Sequence, residues 1–460
     1  MNRERISYCL ILHSRNHKLL IFESAAGWCL PTVAFLKNAR WWEVAALNKE
    51  LFFTFGISTR VLRCIPGKAK IESSNERFYV LECVGDLEIS QHPASRWVDP
   101  CSIQSPLLFS PAHRKSVAIF LEEESKPVPL SREPWVCLGW LAGVSAFLDT
   151  LKPLAPVAPP AEWIQLRAWS RSCIYEVPTG CGTIFFKALP IMSHYEASLT
   201  EIMSKFHPDL LPEVLGVEKN KGWLVLGRID GAAPGGGRPG ITQRESLEKA
   251  LKAWGSAQRS LTEKSELLVK AGCPVLLVEE IPIAIEKILN DSPALLLEQD
   301  LGLSETDRRE LIAALPKLRM WCRELSNGLI RPSLEHGDFR AENILIEFAT
   351  GLPKIIDFGA ATISHPFFSA VTLVEHDEFV GSDAEITELK CLLKSAYLSV
   401  WQDLAPRHQL ERTYELACWV GPCAAAVQRY NILLPGVEDK GQWASSVPYW
   451  LKLLLEKLKN

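Results

Sequence analysis

The sequence predicts an α+β protein in which an α/β domain precedes a small β-rich lobe and a large helical lobe. Short apolar runs typical of strands fill much of residues 1–115 and recur between residues 163 and 235. From about Gln243 onward, Leu, Ala, Glu and Lys dominate at helical spacing. The 460 residues leave room for roughly three domain-sized units, so we expect the boundaries 1–115, 116–162, 163–235 and 236–460.

The N-terminal domain begins with two charge-poor strands, ISYCLILHS and HKLLIFES, followed by GWCLPTVAF and the helical stretch WWEVAALNKELFFTFGIS. This layout resembles the Nudix fold, whose metal-binding box reads G-x5-E-x7-R-E-U-x-E-E-x-G-U. Aligning the box on Gly56 and Ile57 places Glu50 and Leu51 correctly, but its other positions are occupied by Phe35, Trp41, Lys49, Phe53 and Thr54. Because a carboxylate cluster must hold Mg²⁺ and activate water, we expect a domain that has lost hydrolysis and serves as a binding or scaffolding module. The alternative is an unrelated α/β domain.

An acidic, proline-bearing connector, Glu122 to Pro134, follows the N-terminal domain. One helix with Trp135, Trp140 and Phe147 is expected after it. The next segment, LKPLAPVAPPAE, has the composition of a semi-rigid spacer.

The β-rich lobe is predicted from the strands IQLRAWS and CIYEV and from GTIFFKAL, which carries Lys187 near its end. A helix from about Ser193 to Phe206 follows, with Glu196 near its start. Further strands in PEVLGVEKNKGWLVLGRIDG have a charged turn between them, and the flexible GAAPGGGRPG leads into the helical lobe. There we expect long helices at 245–262 and 308–326, the second kinked or split by Pro316.

The segment LEHGDFRAEN, residues 334–343, is followed by KIIDFG, and together they supply the acidic groups of a phosphoryl-transfer site. Such a reaction needs a carboxylate that orients the attacking hydroxyl and accepts its proton, a task that suits Asp338. It also needs oxygen ligands for Mg²⁺, which Asn343 and Asp357 can provide. The apolar runs at 344–346 and 355–356 predict a β-hairpin turned at 349–351.

The pattern HGD, four residues, N and then IDFG resembles the aminoglycoside phosphotransferase family of small-molecule kinases. The resemblance implies a bilobal protein kinase-like fold behind the Nudix-like domain, with ATP, or GTP as an alternative, and Mg²⁺ as cofactors. It implies that Asp338 is the catalytic base, that Asn343 and Asp357 bind the metal, and that His336 braces the loop. It further implies a Lys187–Glu196 ion pair at the nucleotide phosphates and an adenine-binding main chain near Leu226 and Arg228. Unlike many members of the family, this chain has Arg340 where a histidine is common. It also has no G-x-G-x-x-G turn, a pattern that this family often lacks.

The expected activity is therefore an ATP-dependent transfer of phosphate to a hydroxyl of a small molecule, and a nucleotide-binding regulatory module without turnover is the alternative. The sequence does not identify the acceptor. Four acidic residues could line a pocket for a cationic acceptor, although a solvated loop face is the simpler interpretation: Glu375, Asp377, Glu378 and Asp383.

The composition argues against other partners. A net charge of −4 with scattered Lys and Arg offers no basic face for nucleic acid. Apolar runs fall well short of the ~18 residues that a membrane span needs. The thirteen cysteines show no C-x-x-C and no signal peptide is recognised, so we expect reduced thiols in a cytoplasmic protein. The oligomeric state stays open.

Overall fold

The computed structural model describes residues 5–13, 17–25, 27–35, 40–65, 76–85, 94–102, 111–438 and 440–459. The structure is α+β, as predicted. The chain divides into two compact units, Met1–Ile191 with Gly436–Gln442 and Met192–Pro435 with Trp443–Asn460. All thirteen cysteines are free thiols. Among the residues that the structure describes, no helix is both long enough and apolar enough to cross a bilayer.

Unit 1 begins with a seven-stranded mixed sheet, in which the neighbouring first and sixth strands are parallel. Its strands are β1 (Arg5–His13), β2 (Leu19–Ser24), β3 (Gly27–Cys29), β4 (Thr32–Phe35), β5 (Thr59–Ile65), β6 (Glu76–Cys83) and β7 (Ser95–Val98). The helices are α1 (Ala45–Phe55), α2 (Pro111–Glu124) and α3 (Trp140–Thr150). An antiparallel meander then follows, made of β8 (Ile164–Trp169), β9 (Ser172–Thr179) and β10 (Gly182–Ala188).

The mixed sheet has a hydrophobic core on each face because successive side chains of a strand point to opposite sides. Cys9 and Ile11 of β1 pack in the core that contains Leu47 and Leu51 of α1. Tyr8, Leu10 and Leu12 of the same strand pack in the core that contains Val117 and Phe120 of α2. The result is a three-layer arrangement of helix, sheet and helix. The sequence patterns did not predict α2, since its buried face also carries the polar His113 and Ser116, which interrupt the apolar periodicity.

The first strand of the meander is anchored to the N-terminal sheet. The side chain of Gln165 in β8 accepts the backbone N–H of Val61 at 2.7 Å and donates to the carbonyl of the same residue at 2.9 Å. Main-chain hydrogen bonds join Val44 to Leu166 and Ala168 to Trp42. Ala168 is buried in the core beneath α1. The N-terminal domain and the first three strands of the predicted β-rich lobe, β8 to β10, therefore belong to one compact unit.

Unit 2 is mainly helical and contains the segments with the phosphoryl-transfer motifs. Its helices are α4 (Tyr195–Phe206), α5 (Arg244–Thr262), α6 (Ser265–Lys270), α7 (Ile281–Leu289), α8 (Glu305–Ser326), α9 (Phe367–His376), α10 (Asp383–Ser399), α11 (Arg407–Gln428), α12 (Leu434–Gly436) and α13 (Ser446–Lys459). Its strands are β11 (Val214–Glu218), β12 (Trp223–Gly227), β13 (Gly231–Ala232), β14 (Ser333–Glu335), β15 (Ile344–Glu347), β16 (Pro353–Ile355) and β17 (Thr362–Ser364). Helix α8 continues through Pro316, so the predicted split is wrong, and the kink given as its alternative stays a prediction.

Two predicted hairpins of unit 2 are confirmed. Strands β11 and β12 pair antiparallel around the charged turn, and β15 pairs antiparallel with β16, with Ile344 opposite Ile355. A third antiparallel pair joins β14 to β17 and places Glu335 opposite Thr362. The fully buried Trp254 of α5 lies beneath these short strands, with its ring centroid 5.6 Å from that of Phe339 and 5.9 Å from that of Phe358. Both phosphoryl-transfer motifs therefore pack against the same helix, α5.

A buried ion pair links the connector to the N-terminal sheet. Arg60 of β5 pairs with Glu82 of β6, and both side chains are almost completely buried. The remaining Arg60 donors bind the carbonyls of Trp135 and Cys137 at 2.8 Å, while Glu82 accepts the N–H of Gly139 at 2.7 Å. Every charged atom of the pair therefore has a partner, which is the condition under which a buried pair is tolerated.

We predict that Glu82→Gln lowers the free energy of unfolding by roughly 3 kcal/mol, because it leaves the Arg60 charge buried without its counter-ion. Glu122→Gln removes an exposed pair with Lys126 and provides the control, for which we expect no measurable change in the free energy of unfolding. Urea unfolding followed by tryptophan fluorescence measures both values. Equal effects of the two substitutions would contradict this assignment.

Candidate active site

The segment between β14 and β15, residues 336–343, is called the catalytic loop below. It leaves β14 through Gly337, whose φ of +75° lies in the left-handed region that glycine adopts without strain. A Cβ atom at this position would lie 2.0 Å from the carbonyl oxygen of Ala360. Both the backbone conformation and the close contact therefore require glycine directly before Asp338.

The first backbone amides of the loop are satisfied by buried side chains. Glu335 accepts the N–H of Gly337 through Oε1 at 2.8 Å, and the Ser369 hydroxyl accepts the N–H of His336 at 3.0 Å. That hydroxyl also donates to Oε1 of Glu335 at 3.3 Å. Burial raises the pKa of Glu335 to about 7, against the opposing effect of the Gly337 hydrogen bond. Sequence reasoning missed both Glu335 and Ser369.

The second half of the loop is held by Asp377, at the end of α9. Its carboxylate accepts the N–H of Ala341 at 2.7 Å and lies 3.9 Å from the Arg340 guanidinium. Burial raises the pKa of Asp377 above its usual range, although these partners favour the ionised form. The Nε atom of Arg340 lies 3.2 Å from Oδ1 of Asp338. Arg340 therefore bridges the proposed base and the carboxylate that supports the loop.

Asn343 turns back toward Asp338, as the spacing of the motif predicts. Its amide nitrogen donates to the Asp338 carbonyl at 2.9 Å and lies 3.4 Å from the Asp338 carboxylate. The amide oxygen makes no hydrogen bond to any residue that the structure describes. The Asp338 side chain is partly exposed, with 29% of its surface accessible. This geometry leaves one oxygen of Asn343 and the Asp338 carboxylate available to other groups.

The structure brings the second motif to the same end of the β15–β16 hairpin. The N–H of Ile356 donates to the Asn343 carbonyl at 3.1 Å, directly before Asp357. A ring nitrogen of His336 lies 3.1 Å from the carbonyl oxygen of Ile356, which agrees with the bracing role expected for this histidine. Asp357 has a φ of +69°, a conformation that costs energy for a residue with a Cβ atom and that is concentrated at functional sites.

Glu196 lies close to the second motif. It is 1% exposed in the first turn of α4, and a Cβ atom built on Gly359 would lie 2.8 Å from its carboxylate and 3.6 Å from Oδ1 of Asp357. The hydroxyl groups of Ser193 and Tyr195 donate to the Gly359 carbonyl at 3.1 and 2.9 Å. The start of α4 is therefore fastened to the segment that carries Asp357.

The remaining predicted nucleotide ligands are described one by one. Lys187 lies in unit 1, near the end of β10, and is 8% exposed. Leu226 is half-buried in β12, and Arg228 is exposed one residue beyond that strand. The Lys187–Glu196 ion pair and the adenine-binding role of Leu226 and Arg228 stay predictions.

The four acidic residues considered as a pocket for a cationic acceptor each have different contacts. Asp377 supports the catalytic loop, whereas Glu375 accepts a hydrogen bond from Tyr414 and pairs with Lys390. Glu378 forms an exposed pair with Arg238, and Asp383 begins α10. The structure therefore assigns them separate structural roles.

No protein-family model and no curated protein matches the sequence. Solved structures to which this chain is similar include the choline kinase LicA from Streptococcus pneumoniae, which is 13% identical, with 68% of this chain and 99% of that chain covered and a TM-score of 0.46. An ethanolamine kinase from Plasmodium vivax is 11% identical over 78% of this chain and 98% of its own, with a TM-score of 0.47. The macrolide 2'-phosphotransferase MphH from Brachybacterium faecium is 13% identical over 66% and 98%, with a TM-score of 0.42.

The contact at Gly337 gives a stability prediction with a matched control. Gly351 has a similar φ of +67°, but a Cβ atom there would meet nothing within 4 Å. We expect Gly351→Ala to cost about 1 kcal/mol, the penalty for the left-handed conformation alone. Gly337→Ala should cost at least about 2 kcal/mol more, because the backbone at Ala360 must also move. Chemical denaturation of the two variants measures the difference, and equal losses would show that the contact is unimportant.

Proposed function

We propose that this chain is an ATP- and Mg²⁺-dependent phosphotransferase of protein kinase-like fold that acts on a hydroxyl of a small molecule. The observation that carries the proposal is the hydrogen bond between Ile356 and the Asn343 carbonyl, together with the contact of the Asn343 amide with Asp338. These bonds join a carboxylate and an amide of the catalytic loop to the segment that ends at Asp357, fourteen residues further along the chain. This set of oxygen donors suits metal-assisted phosphoryl transfer.

Asp338 is proposed as the base because its carboxylate is partly exposed and its backbone is fixed on both sides. In the reaction the acceptor hydroxyl donates to this carboxylate, its oxygen bonds to the γ-phosphorus of ATP, and the bond from that phosphorus to ADP breaks. Asp338 takes the hydroxyl proton and then releases it to solvent. The pairing with Arg340 restrains the carboxylate. Positioning of this kind supplies much of the catalysis in phosphoryl transfer.

Asn343 and Asp357 are the proposed metal ligands. The amide nitrogen of Asn343 is committed to Asp338, so the amide oxygen is the atom left for a hard cation. Asp357 supplies a carboxylate, which such a cation also prefers. When bound, Mg²⁺ neutralises charge that develops on the phosphate oxygens. Lys187, held by Glu196, is proposed to contact the nucleotide phosphates, and the main chain near Leu226 and Arg228 is proposed to receive the base of ATP, or of GTP as an alternative.

We predict that Asp338→Asn lowers turnover by about 10²- to 10⁴-fold, because it removes the proton acceptor while keeping the shape of the side chain. The dissociation constant of ATP should change less than about 3-fold, since this group acts on the acceptor. Asp383→Asn, in an exposed helix turn, is the control and should keep full activity. Nucleotide consumption over a panel of small alcohols and calorimetric ATP binding give both quantities. Binding of ATP by the unmodified protein without turnover of any acceptor would support a regulatory module instead.

For the N-terminal domain we propose a Nudix-like fold without hydrolysis. Helix α1 occupies the place of the box helix between β4 and β5, and its exposed Phe53 stands where the box has a metal-binding glutamate. The surviving Glu50 accepts a hydrogen bond from Thr54, which occupies another such position. The proposed role is binding or scaffolding.

We predict that the full chain with Asp338→Asn hydrolyses no nucleoside diphosphate derivative in the presence of Mg²⁺ or Mn²⁺. The substitution silences the proposed kinase site, so any phosphate release would come from another centre. Release of inorganic phosphate or nucleoside monophosphate, followed by chromatography, is the measurement. Clear turnover that is lost in Glu50→Gln would overturn the proposal.

A further inference from the structure

A small cavity, lined by both apolar and polar residues, lies in unit 2 beside the start of the catalytic loop. It is enclosed by β14, β17, α9, α11 and α13 and has a volume of about 30 Å³. A buried water needs roughly 10–15 Å³ on this measure, so the cavity can hold one or two groups of that size. The polar residues of its lining that matter here are Glu335, Thr362, His376, Gln428 and Arg429. Gly337, the neighbour of Asp338, also lines it.

Two side chains of the lining offer oxygen atoms that are not used elsewhere. Glu335 accepts its hydrogen bonds through Oε1, and its Oε2 makes none to a residue within the described ranges. Thr362 lies directly opposite Glu335 in the β14–β17 pair, so both side chains extend from the same face. The Thr362 hydroxyl likewise has no hydrogen bond within those ranges. One side of the cavity therefore offers a hydrogen-bond acceptor, Oε2 of Glu335, and a donor, the Thr362 hydroxyl.

The opposite side of the cavity carries a guanidinium group. Arg429 is 8% exposed, donates from Nη1 to the Gln428 side-chain oxygen and lies 5.8 Å from the Trp450 ring centroid. Because that oxygen of Gln428 is engaged, its amide N–H groups are the atoms left to donate. Burial lowers the pKa of His376 to about 3, so this ring is neutral at physiological pH. Among the lining residues that the structure describes, the charged groups are thus one carboxyl and one guanidinium.

We propose that this cavity is an acceptor subsite that binds a second hydroxyl of a neutral polyhydroxy compound, a sugar or polyol. The proposal rests on the phosphotransferase function above and names its acceptor class. An ammonium group would be attracted by Glu335 but repelled by Arg429. A carboxylate would be attracted by Arg429 but repelled by Glu335. A hydroxyl can donate to Glu335 and accept from Gln428 or Thr362, so it satisfies both sides without a net charge.

The link to the loop explains why occupancy of this cavity matters for the reaction. Glu335 binds the Gly337 N–H through one oxygen and presents the other to the cavity. Asp338 follows Gly337 directly, so an acceptor held here is anchored one residue from the proposed base. The same groups select among acceptors. An analogue without the second hydroxyl would leave buried polar groups of the cavity without hydrogen bonds, so its binding is disfavoured.

The test uses the full chain with ATP, Mg²⁺ and acceptors matched in size. Ribose, glucose, myo-inositol and glycerol represent the neutral class, ethanolamine and choline the cationic class, and glycerate and lactate the anionic class. We expect turnover with at least one neutral acceptor and a kcat/KM at least about 10-fold above that of every charged acceptor. Turnover confined to charged acceptors would overturn the subsite while leaving the phosphotransferase proposal intact.

Thr362→Val is the matched variant, since it keeps the volume and removes only the hydroxyl. We expect it to raise KM for the neutral acceptor by about 5- to 10-fold, the value of one hydrogen bond, and to leave KM for ATP unchanged. Thr387→Val, on the exposed face of α10, is the control and should alter neither. An unchanged acceptor KM in Thr362→Val would overturn the subsite. Calorimetric binding of a polyol that depends on Thr362, without any turnover, would instead sink the phosphotransferase proposal and support the subsite.

Discussion

The candidate site depends on how a short loop without a strand partner satisfies its own backbone amides. Between β14 and β15 the chain makes no regular ladder, and an unpaired buried N–H costs about 1–3 kcal/mol. Glu335, Ser369 and Asp377 accept hydrogen bonds from these amides. Gly337 makes the turn possible, since a side chain there would strain the left-handed backbone and would clash with the carbonyl of Ala360. The position of Asp338 follows from these constraints.

Hydrogen bonds at the end of the β15–β16 hairpin join the catalytic loop to the segment that carries Asp357. The β15–β16 hairpin is short, yet its open end places Asn343 beside the residue before Asp357. The positive φ of Asp357 is an energetic cost that the surrounding contacts must offset. Those contacts are the buried Phe358 against Trp254 and the hydroxyl groups of Ser193 and Tyr195 on Gly359. Ring packing and hydrogen bonds thus hold the strained segment around Asp357 in place.

Much of this arrangement could be predicted from the sequence, because local patterns encode it. The hairpins follow from alternating apolar runs bounded by turn residues, and the contact of Asn343 with Asp338 follows from their spacing in one loop. Glu335 and Ser369 were not predicted, since a glutamate before a loop and a serine on a helix carry no pattern until the fold brings them together. Asp377 was named only among four acidic residues of a loop face or an acceptor pocket, and its contact with the catalytic loop was not predicted. The helix α2 was missed because polar residues occupy part of its buried face.

The most direct test of the account is whether Asn343 and Asp357 bind one divalent ion together with nucleotide. Manganese binding to the full chain, followed by electron paramagnetic resonance in the presence of ATP, measures this without any knowledge of the acceptor. The account predicts tight, ATP-dependent binding that weakens by at least about 10-fold in Asp357→Asn and in Asn343→Ala, while Asp383→Asn binds normally. Manganese affinity that is the same in all of these proteins would contradict it.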